Sequence, residues 1–366
     1  MKKYIFNSFR RDTGANSYLP ALDGIRFLAI FMVVIFHLFP SFKNIFGNLE
    51  PGIFRDLVQP FFLNGGRGVE IFFVLSAFIL GHNAMVFKSK NGKNQPALQF
   101  YYKRFLRIYP PFLFAMILVF VGNVWITQQY SFYELLPSLI TTLTYTNNIA
   151  QYVMTMPVLC MVTWTLEIEI QFYILFPFLR LIFNIPVLVR RILLLASIPL
   201  FTFVHIVIET LPTTLFSCFA YFLAGLFLAD LHYNFKTELK YKDWICLLLS
   251  ITCFTFIVYS DISKHFILYL YPYVIAGFFY FSFNSKYSLA LLGSTVISVL
   301  GGMCYSIYLM HSSVISFLNT FLLKNHFAFN SWPWLWFSGN ILAVLLASIL
   351  FYLIAEKPFM TMRFRN

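Results

Sequence analysis

Leu22-Asp23-Gly24-Ile25-Arg26-Phe27-Leu28-Ala29-Ile30-Phe31-Met32-Val33-Val34-Ile35-Phe36-His37-Leu38-Phe39 is apolar apart from Asp23, Gly24, Arg26 and His37. At about 1.5 Å of rise per residue, a helix of this length comes close to the thickness of a bilayer's hydrocarbon core. Ionisable side chains inside such a stretch are costly and call for a reason. Arg26 and His37 lie eleven positions apart. On a helix that separates them by about 20° in azimuth and roughly 16 Å along the axis. One face of one membrane helix therefore carries a cation near one end and an imidazole deeper in.

The rest of the chain fits that setting. Of 366 residues, 60% are hydrophobic and 11% charged, with 47 Phe, and the mean hydropathy is +0.75. Such a composition argues against a water-soluble fold of this length and for a polytopic membrane protein. Lys2, Lys3, Arg10 and Arg11 precede the first apolar run as they would in a signal peptide. Phe39-Pro40-Ser41 offers no small-x-small cleavage pattern, however, so a retained anchor is expected. Cys160, Cys218, Cys246, Cys253 and Cys304 show neither CxxC nor Cys/His metal spacing. They read as small core residues, with no metal site or disulfide framework indicated.

Apolar runs long enough to span start near Leu22, Gly68, Ile108, Leu166, Arg191, Pro212, Asp243, His265, Leu300 and Pro333. They predict an all-α bundle of about ten transmembrane helices. Leu135 to Thr146 is shorter, rich in Thr and interrupted by Pro137, which suits a re-entrant or interfacial segment. No repeat, low-complexity tract or soluble linker divides the chain, so residues 1–366 are expected to form a single membrane domain with short terminal segments, 1–20 and 356–366.

With ten spans, twenty Lys and Arg fall on the side of both termini, among them Lys88, Lys103, Arg104, Arg107, Arg190 and Lys286. Only Lys43, Arg55, Arg67, Lys264 and Lys324 fall on the other. Basic residues favour the cytoplasm, so both termini are expected there. The net charge of +12 then follows from topology and attraction to anionic lipid, without a nucleic-acid partner. Trp332, Trp334 and Trp336, at the start of the last run, are expected to form an interfacial belt.

That orientation sorts the polar groups into two layers. Arg26, Lys103, Arg104 and Arg107 lie at the cytoplasmic edge, and Arg104 and Arg107, three apart, share a helix face. Paired guanidiniums suit a phosphate, although an RxxR sequence is also an ordinary positive-inside flank. Deeper or further out lie His37, Glu70, Glu167, Glu169 and His311. Glu167 and Glu169 are two apart, about 200° around a helix, so they cannot both face one cavity. Glu169 groups with Thr165 and Tyr173, and Glu167 with Gln171. Tyr305, Tyr308, Ser312 and Ser316 make a further polar stripe beside His311, a pattern that also serves interhelical hydrogen bonding.

Taken in order, these fragments resemble the membrane-bound acyltransferase family 3. Leu22-Asp23-Gly24-Ile25-Arg26 with His37 is similar to its first-helix Arg-x10-His signature, and Gly68-Val69-Glu70-Ile71-Phe72-Phe73-Val74-Leu75-Ser76 to its second-helix motif. Arg104-Phe105-Leu106-Arg107 resembles its RxxR, and Trp164-Thr165-Leu166 with Glu169 its Trp-Ser-Leu-x-x-Glu segment. Tyr305-Ser306-Ile307-Tyr308-Leu309-Met310-His311 and Glu356-Lys357-Pro358 resemble its late motifs. Each fragment is modestly specific; the ordered set, from Leu22 to Pro358, covers nearly the whole chain. Phe27 stands where the family often has Gly, Ala77 replaces the Gly of Ser-Gly-Phe, and Glu167 is an additional acid.

The resemblance implies transfer of an acyl group, usually acetyl, from a cytoplasmic acyl-CoA such as acetyl-CoA to a hydroxyl of an envelope glycan or small glycoside. It implies no metal, and placement in the inner, cytoplasmic membrane. Arg26, Arg104 and Arg107 would hold the donor phosphates, and His37 would act as general base. Glu169 and His311 would assist at the catalytic centre, and Glu70, Trp164 and Tyr305 would contact substrate. The sequence stops eleven residues after Ala355, so an appended hydrolase-like domain is not expected. Direct transfer and a covalent acyl-histidine both remain open, and the acceptor is undisclosed. A transporter or flippase that uses His and Glu as a proton relay, or a scaffold with structural polar contacts, would suit the same span count.

Overall fold

The computed structural model describes residues 19–47, 52–208, 213–234, 243–324 and 333–360. Every regular element among them is helical: α1 (Pro20–Gly47), α2 (Ile53–Leu63), α3 (Gly68–Asn91), α4 (Ala97–Val121), α5 (Phe132–Leu143), α6 (Asn147–Ala150), α7 (Trp164–Leu179), α8 (Val187–Val207), α9 (Leu215–Asn234), α10 (Asp243–Tyr259), α11 (His265–Phe283), α12 (Lys286–Leu292), α13 (Thr295–Gly302), α14 (Cys304–Lys324), α15 (Pro333–Phe351) and α16 (Lys357–Met360). An all-helical architecture follows from the solvent. In hydrocarbon each backbone N–H and C=O must be satisfied within its own segment, which a helix does.

Among the described residues, seven stretches are long and apolar enough to cross a membrane: Pro20–Pro40, Gly65–Asn91, Ala97–Ile126, Val187–Val207, Leu215–Asn234, His265–Phe283 and Trp334–Met360. The expected span near Leu300 is broken, since α13 and α14 meet at 70° and count as an eighth crossing only if taken together. The expected spans near Leu166 and Asp243 correspond to helices of 16 and 17 residues, short for an upright crossing of a core about 30 Å thick. The third span begins earlier than its apolar run, because the RxxR segment is already helical in α4. Pro137 lies inside α5 without ending it, and a capping box between Ser131 and Glu134 starts that helix.

The core is a bundle in which α3 lies at the centre of the most intimate contact, against α9. At Gly225 of α9 a Cβ would stand 2.3 Å from the Val74 carbonyl oxygen and 2.7 Å from the Ala77 Cβ. Small residues thus let the two backbones touch, the usual means of helix association in lipid. Ala77, where the family motif has Gly, is accommodated because its partner Gly225 has no side chain. On its other side α3 meets α1 through Gly68, where a Cβ would stand 2.2 Å from the Ala29 carbonyl oxygen.

Polar ties fix the helix ends. Asp230, fully buried at the end of α9, accepts from Arg190 and Arg191 of α8, at 2.6 Å from each Nε. Arg67, 6% exposed, donates to the Ile257 and Ser260 carbonyls at the C-terminal end of α10, at 2.6 and 2.7 Å, where helix carbonyls lack partners of their own. Trp336 departs from the expected interfacial belt. It is 3% exposed, and its indole N–H donates to Asn319 Oδ1 at 3.0 Å, whereas Trp334 is exposed and Trp332 lies outside the described residues. The periodicity of α15 turns Trp336 inward towards α14.

Candidate active site

Five helices enclose a cavity of about 140 Å³. Each contributes residues at helical spacing: Arg26 and Val33 from α1; Val69, Phe72, Ser76 and Leu80 from α3; Arg104, Arg107 and Ile108 from α4; Thr165, Glu169 and Tyr173 from α7; Cys304, Tyr305 and Tyr308 from α14. Seven residues separate Arg26 from Val33, so both face the cavity, roughly 10 Å apart along the axis. Helix α3 runs the opposite way, placing Leu80 near the arginine end and Val69 near Val33.

At the arginine end, Arg26 is paired with Asp23, itself 1% exposed. Glu356, 3% exposed, lies within electrostatic range of both Arg26 and Arg107. Its carboxylate accepts from the Ser306 backbone N–H and hydroxyl, at 3.1 and 2.5 Å. Arg104 lies 5.5 Å from the centre of the Tyr173 ring and 5.7 Å from that of Phe100, close enough for a cation–π contact. Three guanidiniums thus line one cavity; Asp23 pairs with one of them, and the buried Glu356 lies within electrostatic range of two.

Midway along the cavity, Glu169 Oε1 accepts from the Ser76 hydroxyl at 2.5 Å and from the Tyr173 hydroxyl, and Ser76 Oγ and Tyr173 Oη are 3.1 Å apart. Glu167, fully buried, points elsewhere. Its Oε2 accepts the Asn148 backbone N–H at 2.5 Å and thereby holds the first turn of α6. The half-turn between the two acids divides their duties as helix geometry requires.

The histidines sit beyond the far end. His37 is one turn past Val33, and its Nδ1 is 2.8 Å from the Val33 carbonyl oxygen. A carbonyl only accepts, so Nδ1 carries the proton and Nε2 keeps its lone pair. His311, fully buried, has the same arrangement. Its Nδ1 lies 2.8 Å from the Tyr308 carbonyl oxygen, and its Nε2 has no hydrogen-bond partner among the described residues. The two imidazole rings are 5.0 Å apart.

Arg26, Arg104, Arg107, Glu169 and Tyr305 therefore line one cavity, and His37 and His311 form a pair one turn beyond it. The other sequence-derived residues lie apart from its lining. Glu70 falls on the α9 side of α3, within electrostatic range of Arg67, Tyr221 and Tyr271, and its Oε2 is buried without a hydrogen-bond partner among the described residues. Trp164 is half-buried at the first residue of α7. The Tyr305 hydroxyl donates to the Ile108 carbonyl at 2.8 Å, so its one proton is spent on the scaffold. Ser76, by contrast, received no role of its own from the sequence. The available signal was a lone serine in the apolar stripe Val69, Phe72, Ser76 and Leu80.

A family model described as an acyltransferase domain, of the acyltransferase 3 type, matches residues 19–352. The chain belongs to the acyltransferase 3 family. It is similar to the peptidoglycan O-acetyltransferase OatA of Listeria monocytogenes serovar 1/2a, with 26% identity over 183 residues. That match covers 46% of this chain and 25% of the relative, so most of the relative's length lies outside it. No solved structure matches. Family membership and the apolar helices together make this chain a multi-pass membrane protein.

Proposed function

We propose that this acyltransferase moves an acyl group, acetyl first among them, from acyl-CoA to a hydroxyl of a cell-envelope glycan or related glycoside. One observation carries the reading: a single cavity begins at Arg26, Arg104 and Arg107 and ends at Val33, one helical turn below His37. Three guanidiniums at the rim suit the phosphates of coenzyme A through charge-assisted bonds. The rest of the lining, mostly apolar, suits the donor's thioester arm. The similarity to a peptidoglycan O-acetyltransferase favours an oxygen nucleophile on an envelope sugar and acetyl as the group transferred.

In this mechanism the Nδ1–H bond to Val33 orients His37 and leaves Nε2 as the base. As the acceptor oxygen attacks the thioester carbonyl, Nε2 takes its proton. Collapse of the tetrahedral intermediate breaks the C–S bond, and the imidazolium returns the proton to the departing sulfur, so acceptor ester and free CoA are formed with no proton left over. His311 and Glu169 act nearby, one through its ring contact with His37 and the other along the cavity wall. The arginine rim faces the cytoplasm, where acyl-CoA is made.

The test is purified protein with labelled acetyl-CoA and a panel of envelope glycans. His37→Ala should lower transfer by about 10²–10⁴-fold, the range of general acid–base catalysis. Arg26→Ala should weaken donor binding by about tenfold or more, as expected for loss of a charged hydrogen bond. Transfer at the wild-type rate by His37→Ala would exclude His37 as the base, and failure of the wild type to bind CoA would exclude the donor site.

A further inference from the structure

At the end away from the arginines, the cavity closes on Val33, Val69, Phe72 and Tyr308, and this wall is held from several sides. The Tyr308 hydroxyl donates to the Val162 carbonyl at 2.5 Å and stands 3.0 Å from Thr165 Oγ1, which fixes its ring. Val33 is 3% exposed, and its carbonyl is the acceptor for His37. At Gly68 a Cβ would meet the Ala29 carbonyl oxygen at 2.2 Å and Val33 Cγ2 at 3.0 Å. Helices α1 and α3 are thus already in backbone contact beside this wall. Next to Phe72, Phe73 packs on Phe222 at 4.8 Å, which in turn stacks on Phe172 at 4.1 Å. Beyond Val33 lie the rings of His37 and the fully buried His311. Close-packed interiors of this kind yield little to an added methylene.

We infer that Val33, Val69 and Phe72 form a stop that sets acyl length, restricting the donor to short acyl groups such as acetyl. The inference rests on reading the cavity as the donor site. A thioester within reach of His37 has its pantetheine arm leading back to the arginines. Its acyl tail must then leave the carbonyl towards the Val33, Val69 and Phe72 side chains, where an apolar methyl fits and a longer chain collides. Discrimination by a hydrophobic pocket is worth about 10–200-fold per methylene. The three residues are specificity determinants and take no part in proton transfer.

Binding measurements on the purified, detergent-solubilised full chain test this without knowledge of the acceptor. The probes are CoA, acetyl-CoA, butyryl-CoA and hexanoyl-CoA. Wild type should bind butyryl-CoA at least tenfold more weakly than acetyl-CoA. Val33→Ala, which keeps the carbonyl that holds His37, should narrow that gap by about fivefold or more. Phe72→Leu, a smaller change, should narrow it in the same direction and serves if Val33→Ala does not fold. Equal affinity of wild type for acetyl- and butyryl-CoA, with CoA itself bound, would overturn the acyl stop and leave the donor site standing. A wild-type gap unmoved by either folded variant would overturn the assignment to these residues. Absence of CoA binding altogether would overturn the donor site and the acyl stop with it.

Discussion

Glu167 and Glu169 differ by two positions and by everything that matters for their roles. One accepts a backbone N–H from Asn148 of α6; the other faces the cavity with Ser76 and Tyr173 as donors. Each carboxylate in an apolar setting needs such partners, because an uncompensated buried charge is far costlier than a paired one. Tyr305 shows the reverse case, a cavity-lining residue whose polar atom is already committed, to the Ile108 carbonyl of α4. Tyr305→Phe should therefore cost about 0.5–1.5 kcal/mol of stability, the net worth of one hydrogen bond, and leave acetyl transfer within about twofold of wild type. Thermal unfolding in detergent and transfer assays on the same preparation check both halves. A large loss of transfer without loss of stability would mean that the hydroxyl leaves Ile108 to bind substrate.

At the scale of elements, the cavity depends on how closely α3 approaches its neighbours. Ser76, Phe72 and Val69 reach the cavity because α3 is in contact with α9 through Gly225 and with α1 through Gly68. Gly225→Val would drive a branched side chain into Val74 and Ala77. It should destabilise the protein by about 1–3 kcal/mol or more, the usual range for overpacking, and shift Ser76 away from Glu169. The expected result is a lower unfolding temperature with acetyl transfer reduced even in the folded fraction. A variant of wild-type stability and activity would show that the α3–α9 contact gives way elsewhere. The bend between α13 and α14 belongs to this scale too. It starts α14 at Cys304, so that Cys304, Tyr305 and Tyr308 line the cavity while Ser306 reaches Glu356.

For the whole molecule, the reaction proposed above requires the arginine rim to face the compartment that holds acyl-CoA. The Lys and Arg asymmetry of the sequence predicts Lys93, Lys103, Arg104 and Lys286 on that side and Lys264 on the other. Single cysteines introduced at Lys93 and Lys264, in a background in which the five natural cysteines are replaced, should respond oppositely to an impermeant thiol reagent added to intact cells. Lys264→Cys should react and Lys93→Cys should not. The opposite pattern would invert the bundle and place the arginines on the wrong side for a cytoplasmic donor. Equal labelling of both would mean an even number of crossings between α3 and α11, so that α7 or α10 fails to span.

The sequence by itself determined the class of fold and the membrane setting of its polar groups. Its apolar runs, too long and too continuous for a soluble core, leave only membrane helices as a way to satisfy the backbone. Spacing alone put Arg26 and His37 on one face and separated Glu167 from Glu169. What it could not determine is anything that depends on a second helix: that Glu169 meets Ser76 of α3, that His37 meets His311 of α14, that Tyr305 is spent on α4, that Trp336 turns inward, or that the span near Leu300 is bent. Side-chain periodicity fixes direction around one axis, while the pairing of faces depends on how near two backbones can come. That distance is set by Gly68, Ala77 and Gly225, whose missing or minimal side chains carry no chemical signal of their own.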